Sequence, residues 1–146
     1  MSSLYTEVID SSGIETTIRL YRDTVIKHIR PHIYRESYLP NGDLQLEILE
    51  GSDVLMTKTI NYVDINALGG AEWTRGFLRY DTDIVLHHDK TQDYTEYTLR
   101  IKMINYTPNT SSSINLVTEL HTPNTNLYDS FSDFSRGFEI YSTSRY

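Results

Sequence analysis

Apolar and polar residues alternate with a period of two through several short stretches of this chain. In Asp43-Leu-Gln-Leu-Glu-Ile-Leu49, Leu44, Leu46 and Ile48 share one face and Gln45 and Glu47 the other. In Tyr94–Ile104 the stripe is Tyr97, Leu99, Ile101 and Met103, with Arg100 and Lys102 opposite. Trp73–Leu86 repeats the pattern, setting Leu78, Tyr80, Thr82 and Ile84 against Phe77, Arg79, Asp81 and Asp83. Alternation of this kind places one side chain in a core and the next in water, which specifies antiparallel sheets with one wet face.

Shorter β-rich runs complete the series at Leu4–Ile9, Glu15–Tyr21, Thr24–Tyr34, Val54–Asn61, Ile114–Leu120 and Gly137–Ser142. Turn chemistry separates them. Asp10-Ser-Ser-Gly13 and Glu50-Gly-Ser-Asp53 read as turns, and Leu39-Pro-Asn-Gly-Asp43 predicts a hairpin. Pro31 predicts an edge strand or a bulge, because proline has no N–H for a ladder. Asp64–Gly70 reads as one helical turn ended by glycine, and His121–Arg136 as a long connection. Eight or nine short strands with little helix predict an all-β fold, a two-sheet antiparallel β-sandwich of jelly-roll type. Residues 1–22 read as an N-terminal arm or added strands, and residues 23–146 as the sandwich domain.

At 146 residues, one domain suffices to bury a core without covalent staples. The absence of cysteine excludes disulfides, thiolate nucleophiles and cysteine metal ligands. The start, Met-Ser-Ser-Leu-Tyr-Thr-Glu-Val, has neither the basic nor the apolar part of a signal peptide, and no stretch nears the roughly 18 apolar residues of a membrane span. The expectation is a protein made in the cytoplasm, with no export signal and not membrane-bound. Net charge is −7 with the basic residues scattered, which argues against binding a nucleic-acid backbone. Twelve tyrosines stand beside four phenylalanines and one tryptophan, a balance that suits wet contact surfaces and also suits strands.

Candidate chemistry is sparse. Asp81 and Asp83 lie two apart in a strand and could share a face toward calcium, while His87-His88-Asp89 is the most metal-like string. The alternative readings are a solvated strand face near Arg79 and a polar loop, so no metal or other cofactor is assigned. His28 and His32 share one face of a β-rich run, where half-buried packing is the ordinary role. There is no Gly-x-Ser-x-Gly elbow and no glycine-rich phosphate loop, and no catalytic residue is assigned. Tyr128, Phe131 and Phe134, spaced by three, and Trp73 beside Arg75 are the candidate interface or ligand-binding residues. Core packing and loop capping are their competing roles.

The stretch Ile29–Gly51, with its Pro-Asn-Gly turn and second hairpin, is followed by Val63-Asp-Ile-Asn66 and Arg75-Gly-Phe-Leu-Arg-Tyr-Asp81. In this order of segments the chain resembles galactose-binding-like jelly-roll modules, most closely those of bacteriophage virion proteins. The resemblance covers roughly residues 24–120 and rests on turn chemistry that other sandwiches share. It implies a non-enzymatic virion structural protein, a capsid-surface decoration or the head of a tail fibre. Such a module contacts other virion proteins and itself, as a homo-oligomer such as a trimer, and can meet a host surface. The alternative it implies is a carbohydrate-binding module with a glycan ligand. A small hydrolase stands third.

Overall fold

A computed structural model describes residues 6–35, 41–61, 75–107, 114–118, 124–127 and 132–144. Among these there is no helix. Twelve strands form two sheets: β1 (Thr6–Val8), β2 (Ile14–Leu20), β3 (Thr24–Arg35), β4 (Asn41–Glu50), β5 (Asp53–Ile60), β6 (Arg75–Phe77), β7 (Tyr80–Leu86), β8 (Thr95–Thr107), β9 (Ile114–Val117), β10 (Asn124–Leu127), β11 (Ser132–Ser135) and β12 (Phe138–Ser144). One sheet has seven strands in the order β1-β9-β3-β12-β11, with β6 and β7 also paired to β3; the other runs β10-β2-β8-β4-β5. Every pairing is antiparallel except that of β10 with β2.

The chain is thus all-β, and its two sheets pack as a β-sandwich. Their inner faces meet in one core that includes Ile18, Ile29, Ile33, Leu46, Leu99 and Ile140, all fully buried. The long stripes expected on β4 and β8 supply much of it: Leu44, Leu46 and Ile48 are buried, as are Tyr97, Leu99, Ile101 and Met103. Tyr80, 2% exposed on β7, spans the sandwich and donates its hydroxyl hydrogen to the Leu44 carbonyl on β4 at 2.9 Å. That bond joins the sheets directly.

Three expectations are corrected. The strands number twelve because Trp73–Leu86 contributes β6 and β7 separately, and because the expected connection His121–Arg136 contains β10 and β11. β10 reads Asn-Thr-Asn-Leu, so its only apolar residue, Leu127, leaves no alternation to detect. The predicted hairpin at Leu39–Asp43 is not one: β3 and β4 lie in different sheets, and Asn41-Gly42 starts β4 at a bulge against β8. Pro31 lies inside the central strand of its sheet, not at an edge. There β3 exchanges β12 for β9 on one flank and β7 for β6 on the other, so the missing N–H falls where one ladder ends and the next begins.

The N-terminal segment is built into both sheets. β1 pairs with β9, and the following turn crosses to β2, which lies between β10 and β8 and buries Ile14, Ile18 and Leu20. At the crossing, Asp10 Oδ1 accepts hydrogen bonds from the Ser12 and Gly13 amides, and Gly13 takes φ +86°. A side chain at Gly13 would meet the Ile101 carbonyl at 2.9 Å, so close packing as well as conformation calls for glycine. The β11–β12 hairpin turns on Arg136 and Gly137, both at positive φ, as a two-residue turn of matching twist requires. Arg136 then clasps β1, donating to both carboxylate oxygens of Glu7 at 3.0 and 2.6 Å and to the Glu15 carbonyl at 2.7 Å.

Candidate functional site

The outer face of the seven-stranded sheet carries an open depression of about 620 Å³ lined by His28, Arg30, Phe77, Arg79, Glu139 and Tyr141. Its floor is β3, whose alternation sends Ile29 and Ile33 into the core and His28, Arg30 and His32 outward. Pairing then sets the neighbours. Tyr141 on β12 lies opposite His28, and His28 lies opposite Asp81 on β7. Glu139 lies opposite Arg30, and Phe77 on β6 opposite His32.

Contacts follow these rows. The His28 and Tyr141 rings stack with centroids 4.8 Å apart and planes 4° from parallel, and His32 and Phe77 stack at 4.4 Å and 13°. The Arg30 guanidinium lies 4.9 Å from the Phe77 ring centre and donates to Glu139 at 3.1 Å. Arg79 donates to Asp81 at 2.9 Å. Partial burial, followed by the nearby Arg79 cation, holds the His28 imidazole below its ordinary pKa, so it is neutral near pH 7 and can both donate and accept. The depression therefore combines flat ring faces with two Arg–carboxylate pairs of balanced charge.

Each residue singled out as a metal candidate has a partner of its own. Asp81 is engaged by Arg79, whereas Asp83, at φ +44°, lies 3.6 Å from Lys27. The positive φ accompanies the pairing shift between Ile26 and His28, and beyond it Ile84 is partly buried and packs against the core, as alternation predicts. His87 lies 3.8 Å from Asp23, while His88 points its Nδ1 to Thr95 Oγ1 at 3.0 Å. Asp23 also accepts the His88 amide at 2.8 Å, and this bond is the main cause that holds its carboxyl below the usual aspartate range. Among the described residues, no three histidine or carboxylate side chains gather in a cluster able to hold a metal ion.

Of the candidate contact residues, Trp73, Tyr128 and Phe131 lie outside the described residues. Phe134 falls on β11, in register with Glu139 on β12. The depression is formed by residues that the sequence places on strands, His28 among them with half-buried packing as its ordinary role. Glu139 and Tyr141 do alternate with the buried Phe138 and Ile140, and that is the signal available for them. Their conjunction with His28 and Arg30 arises from a pairing between segments 109 residues apart. No protein-family model matches the chain, and no curated protein matches it.

Proposed function

We propose that this chain is a non-enzymatic virion structural module of the galactose-binding-like, jelly-roll kind, a capsid-surface decoration or fibre head that works by surface contact. The observation that carries the contact reading is the open outer face of the seven-stranded sheet. Stacked rings and Arg–carboxylate pairs are rigid, amphipathic groups of the types enriched at recognition surfaces. Asp81 and Glu139 are each engaged by an arginine, an arrangement suited to holding a partner rather than moving a proton. The virion assignment rests on the segment order described above. Mass spectrometry of density-purified particles from the producing cells tests it. Recovery at stoichiometric copy number supports the assignment, and a chain found only in the soluble fraction refutes it.

A carbohydrate-binding module is the second reading, favoured by the exposed Phe77 ring beside two pairs that offer donors and acceptors together. Sugars present apolar ring faces and adjacent hydroxyls, which such a surface matches. Binding on a glycan array that disappears in folded Phe77→Ala and Tyr141→Ala variants would support this reading. Binding unchanged in both would place any sugar elsewhere.

A further inference from the structure

We propose that the outer face of the seven-stranded sheet is a self-association surface, on which a second copy of this chain packs about a two-fold axis running along β3. The inference rests on the reading of the chain as a structural contact module and names its partner. Glu139 lies on the β12 flank of β3 and pairs in register with Arg30. On the other flank Ile29 is in register with Tyr80, which sets Arg79 opposite Arg30 in the same row. Glu139 and Arg79 therefore occupy equivalent places to either side of the central strand, one strand spacing away, about 4.8 Å. A two-fold along β3 exchanges the flanks, so each Glu139 meets the partner's Arg79, twice per contact.

The remaining groups fit this arrangement. Arg30 and Arg79 balance Asp81 and Glu139, so no net charge has to be desolvated on either copy. His28 adds none, being neutral near pH 7. Arg79 and Asp81 are 61% and 76% exposed, and a pair so open adds little to the stability of the single chain, so the Arg79 guanidinium can turn toward a new carboxylate. Phe77, 37% exposed, and the Tyr141 ring supply the apolar and aromatic area that centres such contacts. The outer face of the other sheet is built differently. Glu47 is only 5% exposed there and is already held by both Arg100 at 2.9 Å and Lys102 at 3.1 Å.

Light scattering coupled to size exclusion tests the proposal on the full chain at about 50 µM. The expected mass is twice the 17.0 kDa of one chain, or a multimer that contains two-folds. Arg79→Glu sets like charges against each other at both contacts and should weaken association at least about tenfold; Glu139→Arg should do the same. An equimolar mixture of the two variants should restore the complex, because each new charge then meets its opposite. Arg79 is exposed, so its variant should keep the wild-type circular dichroism and melting profile even if Glu139→Arg does not. A wild-type monomer, a trimer, or an oligomer indifferent to Arg79→Glu overturns the proposal. So does a monomer that binds glycan through Phe77 and Tyr141, which would favour the carbohydrate reading. Particles that lack the chain while the complex persists would refute the virion assignment and support this surface.

Discussion

The hydrogen bond from Tyr80 to Leu44 gives a prediction with two numbers. Tyr80 is 2% exposed, and its hydroxyl donates at 2.9 Å to a carbonyl of the opposite sheet. Tyr80→Phe keeps the ring and its packing but leaves that buried acceptor without this donor. Such a loss costs about 1.5 kcal/mol, within the range of about 1–3 for an orphaned buried polar group. At about 2–4 °C per kcal/mol for a domain of this size, Tm should fall by about 3–6 °C. The second number concerns pH. Burial pushes the folded Tyr80 phenol far above its ordinary value, whereas in the unfolded chain it ionises near about 10. The folded pKa is the higher, so its contribution is complete below about pH 10 and is lost as pH rises. The loss is about 1.4 kcal/mol for each unit above 10, because only the unfolded state releases the proton. Phenylalanine carries no such proton. The gap between wild type and Tyr80→Phe should therefore close by about pH 11. Tyr97, pushed up to about 12 chiefly by burial, acts equally in both proteins and cancels from the comparison. Urea unfolding at pH 7 and pH 11 measures both quantities. Equal stabilities at pH 7, or a gap unchanged at pH 11, would refute the reasoning.

Three further outcomes are expected. Gly137→Ala should lower stability by at least about 2 kcal/mol, since Gly137 sits at φ +88° and an added Cβ would meet the Val117 carbonyl at 2.5 Å; thermal melting checks it, and a smaller loss would mean that the hairpin relaxes freely. Arg79→Ala should raise the His28 pKa toward its ordinary value, because a cation opposing imidazolium formation is removed, and a proton NMR titration that shows no upward movement would sink the assignment. Arg136→Ala should free β1 from its clasp without unfolding the sandwich; hydrogen exchange at Glu7 and Val8 should quicken by about tenfold while β8 amides hold their protection, and equal protection at β1 would show that the clasp is dispensable.

The architecture was largely legible because water acts on alternate residues. Leu44, Leu46 and Ile48, and Tyr97 through Met103, advertise their inward faces residue by residue, and both stripes are buried. What alternation does not encode is which strand lies beside which. The Pro-Asn-Gly signal at residues 40–42 looked like a hairpin, yet the chain changes sheets between β3 and β4, a decision made by tertiary packing rather than by the turn residues. Pro31 lacks a donor and so suggests an edge or a bulge, but other arrangements tolerate that lack, including the handover between partners in mid-sheet that the structure shows. The contact face was hidden for the same reason. His28, Arg30, Glu139 and Tyr141 are ordinary polar members of two strands until registration sets them side by side.

The way β3 divides its length among four partners bears on how this chain acquires its fold. Arg30 waits for Glu139, 109 residues later, and the other ladders of β3 wait for residues 75–86 and 114–117. Ordering so long an intervening loop costs entropy before any ladder bond is made, which places the protein among slow, high-contact-order folders. During synthesis β3 emerges with both edges bare: one waits for β6 and β7, and the other, for longer, waits for β9 and β12. A nascent chain in that condition is a substrate for chaperones and a site for strand exchange between neighbouring copies. Among the described strands β12 is the latest partner of β3 in chain order, and its arrival covers the flank that β6 and β7 leave open.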